Sequence, residues 1–192
     1  MLTTSSLPPQ CTLLIEETIP RGMYVDPDQL RDIQEMGGLQ AYIPTTVDVE
    51  KPEYESESFR VFIFRQLSIQ ENLRVTSVQL PVHMRYHKPA KVSDSKPSTS
   101  APSAIVKVQN PRLLLTCEGD NIASHCPERA VTSFCDASGM EKCEFLDIPY
   151  DVVSAWVFLI DIRTYVIYKK SFLQCKIKFL NYCNQFFYIV FA

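Results

Sequence analysis

Two of the three histidines in this sequence lie four residues apart, in the stretch LPVHMRYHKP at residues 80–89. On a helix, His83 and His87 would share one face, where they could bind zinc. The two prolines of the stretch disfavour a helix, because the residue before a proline is pushed out of helical geometry. As a strand, the stretch places His83, Arg85 and His87 on one side. A cation between the imidazoles disfavours a metal or catalytic site, so we interpret this basic ribbon as a solvated or partner-facing strand.

Four of the seven cysteines are regularly spaced within residues 117–143, at intervals of nine, nine and eight residues. Structural zinc sites use closer pairs, typically about two to four residues apart, and this sequence contains no such pair. Wide spacing in a loop-rich stretch is more typical of disulfides formed in an oxidising compartment, with free structural thiols or metal ligands as the alternatives. The candidate disulfide cysteines are Cys117, Cys126, Cys135 and Cys143.

The composition disfavours several classes of function. The net charge is −3, from 19 basic and 22 acidic residues, without the basic cluster that nucleic-acid binding needs. Five glycines against 13 prolines disfavour phosphate-binding loops. Glu16 and Glu17 would face opposite sides of a strand, and Asp26 with Asp28 is typical of a helix start, so neither pair forms an acid–base couple. We therefore expect neither a catalytic site nor a cofactor.

Strand patterns outnumber helix patterns along most of the chain. CTLLIEETIP, ESFRVFIFRQLSI and NPRLLLTC each predict a strand. One helix is predicted in VDPDQLRDIQEMGG, where Asp26 can cap the start, Pro27 suits the first helical position and Gly37 can end the helix. We predict an all-β or β-dominated domain over residues 11–150, with an antiparallel, sandwich-like fold and one short helix.

The segments around this domain have a different composition. Residues 1–10 are predicted to be disordered, and residues 88–103, rich in Ser, Pro and Lys, to form a flexible surface loop. Residues 151–192 lack glycine and proline and show no sustained hydrophobic period, which indicates a divergent, poorly specified tail. We recognise neither a secretory signal peptide nor an apolar run of about 18 residues that could span a bilayer.

Three separate blocks resemble the PIG-X family, the phosphatidylinositol-glycan biosynthesis class X proteins, in order and approximate spacing. They are LLIEETIPRGMYVDPDQL (13–30), LPVHMRYHKP (80–89) and NPRLLLTC (110–117). The first block fits the family pattern except at Gln29, where the family has Glu. The resemblance covers roughly residues 11–150, and family members also carry a signal peptide and a hydrophobic span that are not recognised here.

The resemblance implies a lumenal β domain at the endoplasmic reticulum membrane that acts as a non-catalytic subunit. The implied partner is PIG-M, the multispanning mannosyltransferase that adds the first mannose to the glycosylphosphatidylinositol (GPI) precursor, which the subunit would bind and stabilise. An independent hydrolase or transferase in the same pathway, and a soluble chaperone-like binder, are the alternatives. The candidate contacts with a partner are Met23, Tyr24, Asp26, His83, Arg85 and His87.

Overall fold

The computed structural model describes residues 10–70, 73–75, 78–88, 103–118 and 127–149, together with the backbone of residues 157–161 and 167–168. Within these ranges the chain forms one α-helix, α1 (Pro27–Glu35), and two short 3-10 turns, Glu53–Glu55 and Pro127–Arg129. The strands are β1 (Cys11–Ile19), β2 (Met23–Tyr24), β3 (Gln40–Tyr42), β4 (Phe59–Gln66), β5 (Ser68–Gln70), β6 (Leu73–Val75), β7 (His83–Met84), β8 (Ser103–Lys107), β9 (Arg112–Cys117), β10 (Ala130–Phe134), β11 (Lys142–Ile148), β12 (Val157–Asp161) and β13 (Ile167–Tyr168).

Six strands form a central sheet in the order β10–β11–β9–β1–β4–β3, and every neighbouring pair is antiparallel. Three of its four inner strands, β1, β4 and β9, contain apolar runs at 13–15, 61–64 and 113–115, in which every residue is buried. Such runs are typical of a sheet that is covered on both faces, because successive side chains point to opposite sides. The predicted β-dominated antiparallel fold with one short helix is confirmed.

The larger hydrophobic core lies on one face of this sheet. Leu13 and Ile15 point to this side from β1, and Met23, Val25 and Leu30 pack against the same cluster. The last three come from the segment that leads into α1 and from the helix itself. Burial of each such side chain contributes about 1.5–3 kcal/mol to stability, so this layer holds the helix and the β2 segment against the sheet.

A smaller core lies on the opposite face of the sheet. Its buried members are Leu14, Phe62, Phe64, Leu114 and Phe145. The Phe134 ring of β10 packs edge-on against the Tyr42 ring, with centroids 4.8 Å apart. Tyr42 belongs to β3, so this contact joins the two ends of the strand order. Gly139, with φ of +67°, lies so close that an added Cβ would be 2.3 Å from Cζ of Tyr42.

Helix α1 begins and ends where the sequence predicts. The Asp26 carboxylate accepts a hydrogen bond from the backbone N–H of Asp28 at 2.9 Å, and Pro27 occupies the first helical position. Gly37 adopts a left-handed φ of +76° just beyond the helix. The cap therefore fixes where the chain passes from β2 into the helix.

The predicted limits of the domain lie mostly outside the described residues. This applies to residues 1–9, to 89–102 within the predicted loop, and to 150–156 at the start of the predicted tail. The described backbone of β12 pairs with β8 and with β13 in a three-stranded antiparallel sheet. The boundaries at residues 10 and 150 therefore stay predictions.

Candidate partner-binding surface

The structure brings together the two stretches that were predicted to contact a partner. Strands β2 and β7 form a two-stranded antiparallel ribbon, in which Tyr24 lies opposite His83. The backbone N–H of Arg85 extends the pairing by donating to the carbonyl of Gly22 at 3.0 Å. Strands β1 and β9 also pair with each other. The three sequence blocks that resemble the PIG-X family thus form two paired sets of strands.

The Tyr24 ring lies at the centre of the β2–β7 ribbon. The His83 imidazole stacks on it, with ring centroids 5.0 Å apart and an interplanar angle of 21°. The guanidinium carbon of Arg85 lies 4.9 Å from the same centroid, in cation–π contact. The His83 Nε2 atom is 2.9 Å from Oε1 of Gln29, which connects the ribbon to α1. These contacts orient both the imidazole and the guanidinium against the protein.

Arg85 is buried, with 7% of its surface exposed, and this corrects the interpretation of its side of the ribbon as solvated. Its Nη1 group donates to the backbone carbonyls of Asp48 and Lys51, each at 2.7 Å. Burial lowers the pKa of the Arg85 guanidinium, and the nearby Tyr24 and Asp48 side chains act in the opposite direction. The physical reason for the correction is that the loop around residues 48–51 folds over this side of β7 and supplies acceptors for the cation.

The third member of the predicted basic ribbon, His87, is also turned inward. Its side chain is 12% exposed, and its Nδ1 atom lies 3.9 Å from Glu53 Oε2. Glu53 is paired in turn with Arg21, whose Nε atom is 2.5 Å from Oε1. An added Cβ on Gly22 would lie 3.2 Å from Cε1 of His87, so the chain passes close to the imidazole. Among the residues that the structure describes, no group of three or more His, Cys, Asp or Glu side chains is arranged to hold a metal ion.

Met23 and Asp26, the remaining predicted contact residues, also have internal roles. Met23 is 2% exposed and belongs to the larger core, and Asp26 caps α1. All six predicted contacts are therefore at least half-buried. These six side chains contact other parts of the protein, and the residues next to them in the sequence form the exposed surface of the ribbon.

The outer side of the ribbon carries aromatic and apolar side chains. Tyr86 is 67% exposed and Val82 is 37% exposed, whereas Met84, between them in the sequence, packs against the larger core. Tyr54, from the first 3-10 turn, is 45% exposed, and the Lys88 ammonium lies 4.5 Å from its ring centroid. We refer to Val82, Tyr86, Tyr54 and Lys88 as the outer ribbon surface. Sequence alternation could have indicated the strand residues, but the position of Tyr54 depends on the fold.

Two disulfide bonds lie within the described residues, which confirms the prediction of a disulfide-containing domain. One joins Cys135 to Cys143 across the end of the β10–β11 hairpin. The other joins Cys117 to Cys11, which lies directly opposite it in the β1–β9 register. Cys11 was not among the predicted cysteines, because only the register reveals its neighbour. Cys126 lies outside the described residues.

The acidic pair on β1 is divided between the two faces of the sheet, as its spacing predicts. Glu16 pairs with Arg60, Oε1 to Nη1 at 2.7 Å, and more distantly with Arg112 at 4.0 Å. Glu17 lies on the opposite face, and burial raises the pKa of its carboxyl from 4.5 to about 7. Its Oε1 atom is buried without a hydrogen-bond partner. The two carboxyls are thus unable to share a reacting group.

Comparison with known proteins identifies the family. The family model described as PIG-X / PBN1 matches residues 2–165, well over half of the chain. The chain belongs to the PIG-X / PBN1 family. The match includes all three blocks that carry the resemblance and extends past residue 150.

Three mammalian relatives of this PIG-X / PBN1 family member carry the same name, "GPI alpha-1,4-mannosyltransferase I, stabilizing subunit". The human protein is 31% identical over 151 residues, which cover 78% of this chain and 55% of the relative. The rat protein is 29% identical over 142 residues, covering 73% of this chain and 53% of the relative. The mouse protein is also 29% identical over 142 residues, covering 73% and 52%. The chain thus spans about half the length of the curated relatives it matches.

No solved structure matches this member of the PIG-X / PBN1 family. No helix within the described ranges has the length and apolar character that crossing a bilayer requires.

Proposed function

We propose that this chain is a non-catalytic subunit that binds and stabilises the catalytic subunit of a GPI mannosyltransferase. The observation that carries the proposal is its similarity to stabilising subunits of mannosyltransferase I, over 73–78% of its own length. The proposed partner is PIG-M, the multispanning enzyme that transfers the first mannose.

The proposed location is the endoplasmic reticulum membrane, with the described domain on the lumenal side. The disulfides Cys11–Cys117 and Cys135–Cys143 support this location, because such bonds persist in oxidising compartments and are rare in the cytosol. Protection of the domain from protease in sealed microsomes is the expected result. Digestion without detergent would contradict the lumenal orientation.

The proposed contact region is the β2–β7 ribbon, comprising the six predicted residues and the outer ribbon surface. Tyr86 and Tyr54 support this choice, because exposed aromatic side chains are enriched in protein interfaces and supply much of their binding energy. Val82 adds apolar area beside them. In this arrangement, Arg85 and His83 hold the strand in place while Tyr86 contacts the partner.

Co-expression with the catalytic subunit tests the function and the surface separately. Depletion of this chain is expected to lower the steady-state amount of the catalytic subunit. An unchanged amount would overturn the proposed function, as would mannosyl transfer by the purified chain alone.

The surface is tested in the same cells with the variant Tyr86→Ala/Val82→Ala. It is expected to weaken co-purification by about tenfold, the effect of losing roughly 1.4 kcal/mol of binding energy. Met140→Ala is the matched control, because Met140 is 85% exposed but lies at the end of the β10–β11 hairpin. Equal co-purification of both variants would exclude the outer ribbon surface while leaving the function in place.

A further inference from the structure

The two disulfides within the described residues differ in their exposure to solvent. Cys11 and Cys117 are buried, at 0% and 7% exposure, and belong to the larger core. Cys135 and Cys143 are both partly exposed. A thiolate must reach a sulfur atom for thiol–disulfide exchange, so an exposed disulfide reacts more readily than a buried one. We refer to Cys135–Cys143 as the accessible disulfide and to Cys11–Cys117 as the protected disulfide.

The accessible disulfide lies at the base of the loop that joins β10 to β11. It links Cys135, the first residue after β10, to Cys143 within β11. The backbone N–H of Cys135 also donates to the carbonyl of Glu141 at 3.0 Å. We refer to residues 136–141 as the hairpin loop. The disulfide therefore fixes the two ends of this loop next to each other.

The hairpin loop is shaped by hydrogen bonds between its own residues. The Asp136 carboxylate accepts from the backbone N–H of Ser138 at 2.8 Å, and the Ser138 hydroxyl accepts from the backbone N–H of Met140 at 3.2 Å. These bonds do not connect the loop to the rest of the sheet. The loop contacts the far edge of the sheet through Gly139, which lies against the Tyr42 ring.

This contact lies where the two edge strands of the central sheet meet. Tyr42 belongs to β3 and Phe134 to β10, and their rings pack edge-on with centroids 4.8 Å apart. Opening the accessible disulfide returns conformational freedom to the hairpin loop, and this freedom competes with the contact between Gly139 and Tyr42. The backbone pairing of β10 with β11 does not require the disulfide. The expected change is therefore confined to the loop and to β3.

We propose that Cys135–Cys143 is a site of thiol–disulfide exchange that controls the contact between the two edge strands of the central sheet. A dithiol is the proposed reductant. It donates two electrons and two protons, so the S–S bond of the protein breaks into two thiols while the two sulfurs of the dithiol form a new disulfide. The protected disulfide stays oxidised and the domain stays folded. The proposal does not depend on the function proposed above, because it rests on the geometry of the hairpin.

The first test is reduction of the purified full-length chain by dithiothreitol in native buffer. Thiols present at the start are blocked with N-ethylmaleimide, and the thiols that appear with time are alkylated and located by mass spectrometry of peptides. Thiols should appear at the accessible disulfide at least about tenfold faster than at the protected one, because the reagent reaches a buried disulfide only after the domain opens.

The second test is NMR of the selectively reduced chain. Amide signals of residues 40–42 should shift together with those of the hairpin loop, and signals of residues 113–115 in β9 should stay unchanged. Four strands separate β3 from β10 in the sheet, so a shift at 40–42 reports on the contact through Tyr42.

Variants separate the disulfide from the loop sequence. Cys135→Ser/Cys143→Ser should show the shifted signals without reductant, and dithiothreitol should not shift them further. Met140→Ala is the matched control, because Met140 is an exposed residue of the same loop. It should keep the original signals at residues 40–42 and the original rate of reduction. If the serine variant does not fold, reduction of the original chain decides.

Three results would overturn the proposal. They are equal or faster reduction of the protected disulfide, selective reduction that leaves the signals of residues 40–42 unchanged, and selective reduction that unfolds the domain. The second is the result expected if the accessible disulfide only stabilises its own hairpin.

Discussion

Replacement of Glu17 by Gln is expected to stabilise the protein above pH 7 and to have little effect near pH 4.5. Glu17 lies between Ile15 and Ile19 on the inner side of β1, opposite Val61 of β4. Burial among these apolar neighbours raises the pKa of the carboxyl to about 7, although the backbone N–H of Thr18 acts in the opposite direction. The folded protein therefore prefers the protonated carboxyl.

The magnitude follows from the pH interval between the unfolded and folded pKa values. Between pH 4.5 and about 7 the folded state binds a proton at Glu17 that the unfolded state has released, so stability falls as pH rises. Each pH unit in this interval changes the free energy of unfolding by about 1.4 kcal/mol. The loss is complete above pH 7 and amounts to about 3 kcal/mol. Glutamine carries no charge at any of these pH values, so the Glu17→Gln variant does not lose this stability as the pH rises.

The assay is urea unfolding followed by circular dichroism, at several pH values from about 5 to 8, with the linear extrapolation giving the free energy of unfolding. Glu16→Gln is the matched control, because Glu16 is the adjacent residue on the opposite face and pairs with Arg60 at 2.7 Å. The control should lose up to about 1 kcal/mol instead of gaining stability. If Glu17→Gln has the same pH dependence as the original chain, the assignment of a buried, protonated carboxyl to Glu17 is wrong.

The remaining predictions concern the two ends of the central sheet and its longest cross-link. Replacing Cys11 and Cys117 by Ala should lower the free energy of unfolding by about 4–5 kcal/mol, since the bond closes a loop with a separation of 106 residues. Replacing Cys135 and Cys143 by Ala, which opens a loop with a separation of eight residues, should lower the free energy of unfolding by about 2–3 kcal/mol. If urea unfolding shows a larger loss for this pair than for Cys11 and Cys117, the loop-length argument is wrong. Gly139→Ala should cost about 2 kcal/mol or more, because of its positive φ and the Tyr42 ring. The cost of Gly139→Ala should fall to about 1 kcal/mol when Tyr42 is also replaced by Ala. If the effects of the two substitutions simply add, the Tyr42 ring is not responsible for the cost.

Local sequence chemistry predicted the elements that depend on local rules. The Asp26 cap, Pro27 at the first turn and the left-handed Gly37 could all be predicted, because each depends on only a few neighbouring residues. The inner strands could be predicted from the sequence for a different reason. Their apolar residues fill consecutive positions, and only a strand covered on both faces accommodates that pattern at this length.

Long-range pairing was beyond the reach of the same rules. Cys11 bonds to Cys117 because β1 and β9 pair in one particular register. The spacing of the cysteines within residues 117–143 gives no information about that register. Alternation predicted that Arg85 and Tyr86 differ in their surroundings, but the interpretation of the Arg85 side as solvated was wrong. That outcome is decided by the loop around Asp48, whose carbonyl accepts from Arg85.

Arg85 and Tyr86 therefore provide a test of whether the family motif serves packing or contact. Arg85→Met should remove two charge-assisted bonds to carbonyls and cost about 3 kcal/mol of folding stability. Tyr86→Ala removes a side chain that is 67% exposed and should change stability by less than about 1 kcal/mol. Both changes are expected to reduce the amount of bound catalytic subunit, the first by destabilising this chain and the second by weakening the interface. If Arg85→Met leaves the free energy of unfolding unchanged but abolishes partner binding, the buried guanidinium contacts the partner directly, and the division of the ribbon into an inner support and an outer surface is wrong.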